Sequence, residues 1–237
     1  MTGLTIIQKA AARLAITSPS IVFSSTNDEV IQLRNLMNQE GIELATGSSA
    51  DYVWRSLTKE KTFTTVAQAI QTSAVSTDFG WYIPETLWNR TTDVPGYGPV
   101  SSQEWQYWQA YSGIALPNFG FRFRGEDLLF YPSPTAGQTV AYEYSSKAWA
   151  ETAAGADLQA MTADTDVAKL DENLIVLGVV WRFLQAKGLD YAEAFRTYQI
   201  QVQKAMSRDG FGKPRLRLHG GQALRHRGNI PDGSWSL

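Results

Sequence analysis

Catalytic chemistry leans on histidine, cysteine and paired carboxylates, and this sequence is poor in the first two. It has no cysteine, which removes thiolate nucleophiles, thiolate metal sites and disulfides together. Its two histidines, His219 and His226, lie near the end of the chain with no neighbour in sequence that would fix their orientation, so they read as solvated or partner-contacting residues. The carboxylates Asp164, Asp166, Asp171 and Glu172 cluster closely enough to suggest a Mg²⁺ site. They also precede a helical pattern, where acids cap the first turn and offset the helix dipole, and that reading is preferred. The phosphate-binding, dinucleotide-binding, zinc-protease and serine-hydrolase signatures are all absent from the sequence. The Asn89-Arg90-Thr91 triplet matches a glycosylation acceptor but is short enough to arise by chance. Neither an enzyme nor a cofactor or metal is expected.

Binding chemistry is better represented. Trp81, Tyr82, Trp88, Trp105, Tyr107, Trp108 and Tyr111 crowd one stretch. Aromatics at that density stack on sugars, or fill a loop-rich core or a subunit interface, and core or interface is the preferred reading. The other signal is charge. From Arg208 onward six Lys or Arg face two Asp, a net +4, which leaves −6 for the body. The basic residues Lys213, Arg215, Arg217, Arg225 and Arg227 are interleaved with Leu216, Leu218, Ile230 and Trp235. A purely phosphate-directed tail has little use for aliphatic anchors, whereas an arm docking on an acidic protein surface uses them for affinity and its arginines for register. A DNA-binding tail and a carbohydrate-binding β module remain the alternatives.

The elements that position these residues follow from periodicity. Ile7, Ala10, Ala11 and Leu14 form one face of a first helix. Thr26 or Asn27 caps a second, with Val30, Leu33, Met37 and Leu44 inward. A Thr-rich stretch from Lys59 to Thr65 suits a strand. The aromatic stretch, rich in Pro and Gly, reads as turns and irregular segments. Alternation at Phe121 and Phe123, and again at Val140, Tyr142 and Tyr144, with turn residues between, predicts an antiparallel meander. A small-residue linker from Ala150 then leads into a helix beginning near Asp166, apolar around most of its girth from Leu174 to Leu184. Gly188 ends it, and Tyr191, Phe195, Tyr198 and Val202 line a partner helix. The fold class is α+β: a helical bundle of residues 1–56 and 157–209, an inserted antiparallel aromatic-rich β domain of 57–156, and an extended arm of 210–237. The longest apolar run is too short to span a bilayer. With no secretory leader in view, synthesis in a host cytoplasm is expected.

The order of segments resembles a family. "TNDEVIQLRNLMNQEGIELA", then "WRSLTKEKTF", "WNRT", "GPVSSQEWQYW" and above all "FRFRGEDLLFYPSPTAGQTVAYEYSSKAW" before a terminal helical pair resemble the head-to-tail adaptors of short-tailed bacteriophages, from near residue 4 to near residue 208. The resemblance implies a non-enzymatic virion protein of the neck, a homo-oligomeric ring of twelve copies joining the portal protein to the tail nozzle protein, with double-stranded DNA passing through its lumen and no membrane contact. It further implies a portal-binding arm, here Lys213, Arg215, Leu216, Arg217, Leu218, Arg225, Arg227, Ile230 and Trp235. A ring subunit would bury an over-apolar helix against its neighbour, so Leu174, Leu177, Trp181 and Leu184 are the expected subunit interface. An acidic body suits a DNA channel, because basic walls would hold the phosphates.

Overall fold

A computed structural model describes residues 1–46, 52–111 and 118–209. Helix α1 (Gly3–Arg13) starts at Thr2, whose hydroxyl accepts the Thr5 N–H. Helix α2 (Asp28–Thr46) starts at Asn27, whose Oδ1 accepts the N–H groups of Glu29 at 2.8 Å and Val30 at 3.4 Å. These side chains satisfy donors that a helix start leaves without intrahelical partners. The expected inward faces hold, since Ile7, Ala10 and Ala11 on α1 and Val30, Leu33, Met37 and Leu44 on α2 are all buried.

Strand β1 (Thr58–Thr64) opens the β-rich part and is followed by β2 (Ile70–Gln71), β3 (Phe79–Tyr82), β4 (Trp88–Asn89) and β5 (Val94–Pro95). Helix α3 (Ser102–Ala110) comes next, then β6 (Gly120–Arg124), β7 (Asp127–Tyr131) and β8 (Thr139–Ser146). The aromatic stretch is therefore not all turn, as expected, because α3 lies within it. Its start is written as a Ser101-x-x-Glu104 capping pattern, and the Ser101 hydroxyl accepts the Glu104 N–H at 3.1 Å.

The expected meander is corrected as well. β6 and β7 form a hairpin through Gly125, which has φ +61°, a conformation glycine adopts without steric cost. β8, however, does not pair with β7. The chain crosses to another sheet, where β8 runs between β1 on one side and β3 and β4 on the other. The two sheets share a core, because Val140, Tyr142 and Tyr144 of β8 meet Phe121, Leu128 and Phe130 of the hairpin. Residues on the other face of β7, Leu129 and Tyr131, pack under Trp105 and Trp108 of α3. Covered on both faces, β7 reads as a continuous apolar run rather than an alternating one.

The expected small-residue linker is a three-stranded sheet of β9 (Ala150–Glu151), β10 (Asp157–Leu158) and β11 (Val167–Ala168). Pairing of Val167 and Ala168 with Glu151 and Ala150 holds that segment extended, so α4 (Glu172–Ala186) begins six residues after Asp166 instead of at it. Gly188, with φ +68°, turns the chain into α5 (Ala192–Asp209). The helices enclose Trp149, which is wholly buried with Ile6, Leu33, Met37, Leu174, Ile175 and Val179. No helix among the described residues is long and apolar enough to cross a membrane.

Candidate functional site

The acidic cluster does structural work. Asp164 Oδ1 accepts the backbone N–H groups of Val22 at 3.0 Å and Phe23 at 3.1 Å, fastening the loop between α1 and α2. Asp166 Oδ2 accepts those of Thr162 at 2.7 Å and Ala163 at 2.8 Å. Asp171 caps α4 through the Asn173 N–H, and Glu172 pairs with the N-terminal ammonium. Only Asp171 is thus the helix cap that the sequence suggests for the group. Among the described residues, no group of three or more His, Asp or Glu is arranged to hold a metal ion. The Asn89 amide is also occupied, donating to Gln138 and accepting from the Thr91 and Thr92 backbone.

A polar node joins α2, α4 and α5. Glu40 is fully buried, with its oxygens taken by Arg182 Nε at 2.7 Å and the Tyr198 hydroxyl at 2.5 Å. Arg182 also reaches Glu43 at 2.5 Å and lies over the Trp181 ring, 4.5 Å from its centroid. Burial raises the Glu40 carboxyl above its ordinary value, outweighing the opposing bonds from Tyr198 and Arg182. Gly178 makes the room, since a Cβ there would sit 2.2 Å from the Glu40 carboxyl carbon.

The expected interface residues divide. Leu174 is 1% exposed, Leu177 8% and Trp181 9%, so these three are covered by their own chain, while Leu184 is partly exposed. Trp181 packs against Phe195 and Tyr198 of α5 and against Tyr191 just before it, three of the four residues expected to line the partner helix. Its buried indole N–H has no acceptor among the described residues. Close by, Leu189 and Tyr191 are exposed.

The aromatic cluster divides in the same way. Tyr82, Trp105 and Trp108 are buried, whereas Trp81, Trp88, Tyr107 and Tyr111 are each at least 44% exposed. Trp81 and Trp88 stand on the outer face of the β1–β8 sheet, opposite Ser145 and Ala141 of β8 respectively. Four residues of extended strand separate those two positions, so the indoles stand about 13 Å apart along the sheet. Between them lie Glu143 and, across the pair, Glu60 of β1. Glu60 takes two bonds from Arg90, at 3.1 and 2.7 Å, which lower its carboxyl below the usual range. A depression of about 460 Å³ opens beside Trp88, edged by Glu60, Glu85, Asp93 and Glu143. Among the described residues, Glu85, Asp93 and Glu143 make no ion pair. Sequence reasoning missed this concentration of charge because β1, β8 and the segments flanking β4, distant in sequence, supply it jointly.

The expected arm residues Lys213, Arg215, Leu216, Arg217, Leu218, Arg225, Arg227, Ile230 and Trp235 lie outside the described residues. Their point of departure is defined. Asp209, the last residue of α5, accepts the Tyr52 hydroxyl and the Arg55 N–H at 2.9 Å each, which fixes the end of α5 beside the start of β1.

No curated protein matches the chain. A family model described as SU10 adaptor protein does match, over residues 1–225, and it spans both helical pairs and the β-rich part between them. By that match the chain belongs to the SU10 adaptor protein family, a head-to-tail adaptor family of phages with a structural role.

Proposed function

We propose that this adaptor is a ring subunit joining the portal protein to the tail nozzle protein, with DNA passing through the lumen. The family match over residues 1–225 carries the reading. Beyond the described fold, the segment 210–237 supplies the portal contact, its arginines against acidic groups and Trp235 in an apolar pocket. Fully extended, its last 25 residues could reach roughly 80 Å at about 3.3 Å per residue. Fixing it costs on the order of 1 to 2 kcal/mol per residue, so one arm binds weakly and a ring of arms binds firmly.

Contact between neighbouring subunits falls at the α4–α5 turn. Leu184, Leu189 and Tyr191 leave apolar surface there. Leu174 and Leu177 support that surface from within.

Electron microscopy of the chain mixed with the portal of its own genome tests the reading, comparing full length with a version stopped after Gly212. Rings capping the portal with full length alone are the expected result. Rings formed equally by both would remove the arm from the reading, and association by neither would remove the ring as well.

A further inference from the structure

We propose that the exposed side of α5 docks on the outer face of the β1–β8 sheet of a second copy, so that each chain offers one surface to each of two neighbours. The proposal rests on the ring reading in taking the partner to be another copy, and it extends the contact at the α4–α5 turn along α5 to the surface that receives it.

The two surfaces are complementary in charge. On the sheet, Glu60 of β1 and Glu143 of β8 face outward with the indoles of Trp81 and Trp88 alongside, and no outward position of β1 or β8 is basic. Arg90, the one cation lining the depression there, is already held by both oxygens of Glu60. On α5 the acids stand at the ends only, Glu193 in the first turn and Asp209 at the last position. Between them Arg196, Ile200, Lys204 and Arg208 follow at intervals of four, which places them on one slowly winding stripe, and all four are exposed. Among the described residues Arg196 and Lys204 make no ion pair, and Arg208 reaches Asp171 only at 3.6 Å.

Both surfaces are exposed in the same chain, so neither covers the other, and the partner that brings one to the other is a second copy. Because the two patches differ, the contact is head-to-tail, and contacts of that kind repeat from copy to copy and close into rings where the rotation allows. Nucleic-acid phosphates would meet Ile200 in the middle of the stripe, whereas an exposed indole is a suitable contact for it.

The spacings agree. Ile200, Lys204 and Arg208 follow at about 6 Å along the helix axis, and Trp88, Glu143 and Trp81 at about 6.6 Å along the sheet. With Ile200 on Trp88, Lys204 comes beside Glu143 and Glu60, and the Arg208 guanidinium lies on the Trp81 ring, a contact that indoles favour. Arg196, one turn earlier, then reaches toward Asp93, which precedes Val94 opposite Asn89 and so lies beyond Trp88.

Equal amounts of heavy-isotope-labelled and unlabelled full-length protein, concentrated alone and also mixed with the portal, test the contact. A carbodiimide joins a lysine amine directly to a carboxylate, and mass spectrometry reads the linked peptides. The expected result is Lys204 joined to Glu143 or Glu60 with one peptide of each isotope, in a yield that declines with salt. Lys204→Glu and Glu143→Lys should each weaken the interface about five- to thirtyfold, since each replaces an attraction by a repulsion. The two together in one chain should restore both the link and the association, followed by analytical ultracentrifugation and by microscopy on the portal. Both side chains are exposed, so neither reversal threatens the fold. Links confined to a single isotope, absence of the mixed link from both samples, or association indifferent to both reversals would overturn the proposal. Rings on the portal without the mixed link would overturn this contact and leave the ring reading standing, whereas the link without rings would uphold the contact and remove the ring.

Discussion

Replacing Arg182 by alanine leaves a wholly buried carboxylate, Glu40, with the Tyr198 hydroxyl as its remaining side-chain donor. Removing one partner of a buried ion pair typically costs about 3 to 5 kcal/mol, because the other charge stays desolvated. Against a usual folding free energy of about 5 to 15 kcal/mol, that is a large fraction. Glu40→Gln should be far milder, about 1 kcal/mol, since the amide still accepts from Tyr198 while Arg182 keeps Glu43. Denaturant titration at pH 7 measures both. The two should also differ in pH dependence. Burial already raises the Glu40 carboxyl above 4.5 in the native protein, and loss of Arg182 raises it further. A group raised on folding favours the folded state when protonated and loses that contribution as pH rises through its folded value. The deficit of the Arg182 variant should therefore shrink as pH falls from 7 toward 4.5, while that of Glu40→Gln should not follow the same curve. Equal costs at pH 7, with no narrowing on acidification, would show that Glu40 is not carrying a buried charge and would refute the reasoning.

Two further substitutions probe the packing and the joint between the parts. Gly41→Ala places a methyl group 2.2 Å from the Trp149 ring; overpacking of this kind costs about 1 to 3 kcal/mol or more, and an unchanged thermal midpoint would contradict the packing described. Asp78 accepts from Lys59 at 2.7 Å, Ser146 at 2.7 Å and Tyr144 at 2.9 Å, and these bonds, against the upward push of burial, hold its carboxyl below 3.8. A lowered carboxyl stabilises above its unfolded value and loses that contribution as pH falls through the folded one, so Asp78→Asn should destabilise at pH 7 and cost progressively less below 3.8, as acid titration followed by circular dichroism would reveal.

What was legible in the sequence was what a single segment decides. The inward faces of α1 and α2, the β1 strand and the pairing of the last two helices are set by period and by local caps and fall where expected, the start of α4 excepted. α3 was legible too, in the Ser101–Glu104 pattern, but the surrounding prolines and glycines outweighed it. The crossing from β7 to β8 was not, because strand alternation says which face is inward and nothing about which strand is the neighbour. The small sheet escaped for a related reason: two-residue strands such as Ala150–Glu151 are too short to show a period. Glu40 falls on the inward spacing of α2, between Met37 and Leu44, but the groups that receive its carboxylate, the space at Gly178 and the Tyr198 hydroxyl, come more than a hundred residues later. The apolar girth of α4 suggests a neighbour but cannot say which, and here the chain itself covers Leu174, Leu177 and Trp181.

The helical core is assembled from opposite ends of the sequence, and that sets an order of events during synthesis. α2 ends at Thr46 and α4 at Ala186, so at about 5 to 20 residues per second the first two helices wait roughly 7 to 28 s for their principal partner. Until then Leu33 and Met37 have no Ile175 or Val179 to pack against. The β-rich part, complete by Ser146, can close first and hold the early helices near the place where α4 will arrive. The helical core therefore closes only after translation has passed α4.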